Sequence, residues 1–155
     1  AEWFADKAWH GGAEAELGDV LAEGLRVATG RVAVGRDTDA TTLGMEAHLE
    51  DHVSFDKGCY TGQEIVARIQ TYGHVNRQLV ALLAPDIAEP ELGTPLCELE
   101  EGDPVGRWMS SASLPDGQRL ALGYLPKDFW AVGTELFLGD GAGPKVRVVG
   151  FATGD

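Results

Sequence analysis

From residue 78 onward the apolar positions come in short runs: QLVALLA, PVGRWM, RLALGYL, TELFLG and KVRVVGFA. Turn-forming stretches, PDIAEPELG, LPDG and GDGAGP, separate them. Short runs bounded by Gly, Pro and Asp predict strands with tight connections rather than helices. Their spacing predicts a small antiparallel barrel or sandwich of about six strands, in which closure hides the edges. Cys97 has no basic neighbour and reads as one more strand residue. Trp108, Tyr124, Phe129 and Trp130 fall in the same half. Barrel core accounts for these aromatics more simply than a binding platform does.

The pattern before residue 73 is different. Residues 13–24, AEAELGDVLAEG, are rich in Ala, Leu and Glu and predict a short helix. LRVATGRVAV predicts one or two short strands, broken at Gly30. GRDTDATT, with Gly35, Asp37 and Asp39, predicts an exposed loop. LGMEAHLEDHVSF spaces Leu43, Ala47 and Leu49 in a loosely helical way. A better-marked helix is expected at about 62–71, where Thr61 and Glu64 have capping-box spacing. Glu64 and Arg68 add an acid-first pair four apart, and Ile65, Val66 and Ile69 form an apolar stripe. Gly73 is a natural stop. The expected organisation is an α+β portion over residues 1–72 and an all-β barrel over residues 73–155.

Composition narrows the function. The chain has 155 residues and a formal charge of −13. Residues 1–72 hold 13 acidic and 6 basic side chains, and residues 73–155 hold 12 and 6, so the acidity is spread over both portions. Such a surface repels phosphate backbones and disfavours direct binding of bulk nucleic acid. The sequence contains no apolar run near the roughly 20 residues of a membrane span. AEWFADKAWH has neither the basic region nor the apolar core of an export signal. The first residue is Ala1, which leaves processing, shortening or a fragment open. The two cysteines, Cys59 and Cys97, form no disulfide framework or C-x-x-C metal motif. Reduced thiols in a cytoplasmic compartment are therefore expected.

KGCYTGQE, residues 57–64, concentrates the candidate chemistry. If Thr61 caps a helix, Cys59 sits just ahead of its N-terminus, where unpaired N–H groups favour a thiolate. Lys57 adds positive charge, while Gly58 and Gly62 permit a sharp turn and close approach of a ligand. The competing reading is a tight turn in which Cys59 fills a small hole. Local chemistry alone leaves both open. His48 and His52 are four apart, as helical zinc ligands can be, but a pair of exposed polar residues is the simpler reading.

The run SFDKGCYTGQEIVARI, residues 54–69, closely resembles the K-G-C-[FY]-x-G-Q-E signature of the YgfZ family, folate-binding relatives of the glycine-cleavage aminomethyltransferase. LRVATGR at 25–31, LEDHVSF at 49–55 and GHVNRQL at 73–79 extend the resemblance on both sides. It covers roughly residues 15–83 well and the barrel loosely. It implies the C-terminal part of an aminomethyltransferase-like folate-binding domain followed by a six-stranded antiparallel barrel. It also implies tetrahydrofolate as cofactor and a role in iron–sulfur cluster assembly or repair, and through it in tRNA thiolation. Partners would be iron–sulfur proteins or cluster-assembly factors. Cys59 carries over as the required thiol. Lys57, Gly58, Tyr60, Gly62, Gln63 and Glu64 carry over as the rest of its motif, and Arg77 as a residue that could reach a folate carboxylate or a partner.

Two departures shape that expectation. Aminomethyltransferases carry a folate-contacting glutamate where this chain has Ala28, and they lack the cysteine motif. Family members are also about twice as long, so an N-terminal half is expected as a further partner, and Trp3 and Trp9 would pack on it. The rival expectations are a tetrahydrofolate-dependent one-carbon transferase and a scaffold that docks a cluster-assembly partner without chemistry.

Overall fold

The computed structural model describes residues 18–54, 58, 64, 67, 75–100 and 102–152. Helix α1 spans Gly18–Ala28. Turns follow, among them short 3-10 turns at Gly44–Ala47 and Glu50–His52. Six strands come next: β1 (Arg77–Ala84), β2 (Pro95–Cys97), β3 (Pro104–Ser113), β4 (Arg119–Pro126), β5 (Glu135–Leu138) and β6 (Lys145–Phe151). They close an antiparallel barrel in the order β1-β4-β3-β2-β5-β6. Strand β1 completes the circle by pairing with β4 on one side and β6 on the other. Every apolar run predicted from residue 78 onward is a strand, and Cys97 ends the additional short one, β2.

Side chains alternate across the barrel wall, as the two-residue strand period requires. Val80, Leu82 and Ala84 of β1 and Ala121 and Leu125 of β4 belong to the lumen cluster, with Leu96, Trp108, Leu136, Val146 and Val148. Phe129 and Trp130 pack against its edge. Full burial of each large side chain contributes about 2 kcal/mol. The alternate positions Leu79, Leu122 and Tyr124 face outward with Met109 and form a second core with Val27, Ala47 and Ala152. Tyr124 thus lies outside the lumen, whereas Trp108 lies within it. Gly30, at φ +67°, sits where a Cβ would collide with the backbone of Ala152, so the end of the barrel strand β6 rests on the turn after α1.

Two sequence expectations change in this outer layer. LRVATGRVAV does not form strands: α1 continues to Ala28, and residues 29–37 are turns and irregular backbone. Leu25, Arg26 and Ala28 are good helix formers, and Arg26 pairs with Glu23 one turn back. A strand there would also find no partner on a closed barrel. The acidic turn GRDTDATT is not uniformly exposed, because Asp37 is fully buried.

Candidate functional site

Asp37 shows why a charged turn residue goes inside. Its Oδ2 pairs with Arg26 at 2.6 Å and accepts from Ala33 N at 2.8 Å, and its Oδ1 accepts from Ser110 N on β3 at 3.0 Å. One carboxylate thereby ties α1, the turn and the barrel wall together, with its lone pairs used by charged and backbone donors. Arg26 spends its other donors on Glu23 and on the carbonyl of Arg31. Its hydrogen bond with Glu23 raises the Arg26 pKa, and the same bond holds the Glu23 carboxyl below its ordinary value.

A second anchor lies at the start of β1. Glu46 is buried, accepts from Leu43 N at 3.2 Å and pairs with Arg77 at 3.0 Å. Arg77 also lies over the Tyr124 ring, with its guanidinium carbon 5.5 Å from the centroid. On the other side Arg107 of β3 is the direct cross-strand partner of Tyr124, and its guanidinium carbon is 5.1 Å from the centroid. Both contacts fall within cation–π range. Asp39 accepts from Thr41 and Thr42 and takes Arg107 Nη1 at 3.2 Å. The Thr41 hydroxyl bond, foremost, holds the exposed Asp39 carboxyl well below the usual range.

Of the residues singled out in the sequence, Arg77 is placed by its ion pair with Glu46. Gly58 is exposed, with open space where a Cβ would stand. Glu64 and Ala67 are helical and exposed. Lys57, Cys59, Tyr60, Gly62 and Gln63 lie outside the described residues, as does Thr61. Glu46, Asp37 and Arg107 were not singled out as site residues. Arg107 carried one signal, a charge inside an otherwise apolar strand run.

A cavity of about 710 Å³ opens between the turn after α1 and the 3-10 turns. Thr29, Arg31, His48, Glu50, Asp51 and His52 are among its lining. His48 has a left-handed backbone, φ 53°, and donates Nε2–H to Leu79 O at 2.9 Å. It therefore leaves the regular helix that the His48/His52 spacing would need for shared zinc ligation, and its Nε2 is already taken by a carbonyl. The described residues bring together no group of three or more metal-ligating side chains.

These features define an aminomethyltransferase-like C-terminal region: a helix-and-turn layer docked on a closed six-stranded antiparallel barrel. The solved structure of the glycine cleavage system aminomethyltransferase T from Bartonella henselae is similar, with a TM-score of 0.66 and 26% identity. The match covers 88% of this chain and 41% of that one. A chloroplastic Arabidopsis thaliana protein named "Putative transferase" is 32% identical over 125 residues, which is 80% of this chain and 28% of that protein. The chain thus spans less than half the length of these two relatives. No family model matches it. No helix among the described residues is long and apolar enough to cross a membrane.

Proposed function

We propose that this chain is the C-terminal part of a YgfZ-like, tetrahydrofolate-binding protein that supports iron–sulfur cluster assembly or repair, with Cys59 as its working thiol. One observation carries the reading: the run KGCYTGQE stands in the same chain as an aminomethyltransferase-type barrel, ahead of its first strand. Glu64 and Ala67 are helical, as the capping-box reading of Thr61 and Glu64 expects, and a helix start near Cys59 would favour a thiolate. Lys57, Gly58, Tyr60, Gly62 and Gln63 would shape the approach to that thiol. Its partners would be cluster-bearing proteins or assembly factors, and an N-terminal half would complete the ligand pocket.

The described residues fit the pterin of a folate in part. Ala28 is exposed and offers no carboxylate. The neighbouring cavity has the volume of a small-ligand site, and Glu50 and Asp51 on its wall could accept the pterin's N–H groups. Tetrahydrofolate would supply a one-carbon carrier. This chain's residues would bind and orient it.

Replacing Cys59 by Ala in the full-length protein is expected to abolish rescue of a cluster-dependent enzyme in cells lacking the protein. Full rescue by Cys59→Ala would sink the thiol role. The name of the Arabidopsis relative favours a second reading, folate-dependent one-carbon transfer. Turnover of an aminomethyl or methyl donor with tetrahydrofolate, unchanged in Cys59→Ala, would select it. Normal rescue by Cys59→Ser with loss on Glu64→Ala would select a scaffold instead.

A further inference from the structure

A cavity of about 660 Å³ lies between α1 and the strands β3 and β4, with Ala22, Glu23, Arg36, Glu89, Ser113 and Arg119 in its lining. Its volume suits a small molecule. The charges around it are unevenly matched. Glu23 pairs with Arg26 and Arg36, and Glu89 approaches Arg36 at 3.8 Å. Arg26, Arg36, Arg77 and Arg107 thus all meet a carboxylate. Arg119 meets none among the described residues, although the chain has 25 acidic side chains and 12 basic ones.

Neutral oxygens hold Arg119 instead. Its Nε donates to Ile87 O at 3.3 Å, Nη1 to Ser111 Oγ at 3.3 Å and Nη2 to Ser113 Oγ at 3.0 Å. Ser113 is its direct cross-strand partner on β3, and Ile87 lies in the connection from β1 to β2. These attachments fix the guanidinium plane before any ligand arrives, which cuts the ordering cost of binding. They leave its positive charge uncompensated, and each terminal nitrogen keeps one N–H without a partner among the described residues. Ser113 is exposed and accepts in its bond to Arg119, so its own O–H remains to donate. Nη2 and Ser113 Oγ are therefore neighbouring donors, 3.0 Å apart, in an exposed contact.

We propose that Arg119 and Ser113 form a carboxylate-binding subsite for a small monoanionic acid, with the terminal N–H groups of Arg119 taking its oxygens and the Ser113 hydroxyl adding a hydrogen bond. Two features set the class of ligand. Glu23 and Glu89 in the same lining repel a second negative charge, so a monoanion is favoured over a doubly charged phosphate. Ala22 and Ala112 in the wall offer apolar surface to a short hydrocarbon chain. The site uses no residue of the KGCYTGQE motif, so it stands apart from the YgfZ-like reading, and the failure of either leaves the other intact.

Titration of the ¹⁵N-labelled protein with sodium butyrate at pH 7 tests it, against sodium chloride of matched ionic strength. In wild type the Arg119 Nε–H resonance should shift saturably with butyrate and not with chloride, a readout that does not depend on how the variants fold. Affinity read from the backbone amide of residue 113 should fall about tenfold in Arg119→Lys, which keeps the charge and loses the planar fork. Ser113→Ala should weaken it less. Arg147→Lys changes an exposed arginine on β6 and should leave it unchanged. Absence of a saturable Arg119 shift below about 50 mM butyrate would overturn the proposal. So would equal affinity in folded Arg119→Lys, or an equal loss in Arg147→Lys, which would mean general attraction to surface cations. Tighter binding of sodium phosphate than of butyrate would overturn the assignment to a carboxylate.

Discussion

The barrel lumen and the layer outside β1, β3 and β4 both bury apolar side chains, but different forces align them. In the lumen, Leu82, Leu96, Leu125, Leu136 and Trp108 meet across a closed wall, and shape does most of the selecting. In the outer layer the apolar patch is smaller, and charged residues hold its register: Asp37 reaches from a turn to β3, and Glu46 reaches to Arg77 on β1. A closed barrel specifies itself by pairing all its strands. A helix laid on its outside could slide, and buried ion pairs oppose that, since a misplaced charge would be left unpaired.

Truncating the lumen should have the largest effect. Trp108→Ala is expected to cost about 3–5 kcal/mol in urea unfolding, from lost burial and the cavity left behind. Trp108→Phe should cost much less, because the indole N–H it removes has no partner among the described residues. A loss below about 1 kcal/mol for Trp108→Ala would mean the lumen tolerates a void, contrary to the comparison.

Asp37→Asn comes next, at about 3 kcal/mol. An amide cannot accept at once from Arg26, Ala33 N and Ser110 N, and Arg26 loses one of its two carboxylates. The double change Arg26→Met, Asp37→Leu should be milder than Asp37→Leu alone, since it removes both buried charges. Greater damage from the double variant would show that the pair adds net stability as well as register. Glu46→Gln should cost less again, about 1 kcal/mol, because Arg77 is partly solvated and an amide oxygen can still take Leu43 N–H. Thermal unfolding of the same samples ranks the three.

These differences track what could be read from the residues. The strands were legible because β1, β3, β4, β5 and β6 each pair an apolar run with flanking turn formers. The second core was not, because its outward positions, Leu79, Leu122 and Tyr124, share strands with the lumen and carry no separate mark. LRVATGRVAV was misleading because Val27 and Val32 favour strands locally. Helix propensity over residues 18–28, the Glu23–Arg26 pair and the closed barrel outweigh that preference. Asp37 looked like ordinary turn chemistry, since nothing local shows that a carboxylate will meet Ser110 N, 73 residues away. The KGCYTGQE motif was the converse case: it stood out at once, yet its thiol lies outside the described residues.

The smallest expected effect tests the seam between the two regions. Tyr124 belongs to the outer core by position, but its ring is held by arginines at the barrel mouth. Tyr124→Phe removes a buried hydroxyl with no partner among the described residues and should raise stability at pH 7 slightly, by less than about 1 kcal/mol. Alkali should widen that difference. Burial raises the folded phenol from 10.0 to about 12, so the fold favours its protonated form. That contribution is complete below pH 10 and is lost as pH rises toward about 12. Urea midpoints measured from pH 8 upward should therefore fall more steeply for wild type than for Tyr124→Phe above pH 10. Parallel curves would mean that the phenol is solvated in the folded protein. The barrel mouth would then be wet, and the distinction between a dry lumen and a charge-registered outer layer would end at Tyr124.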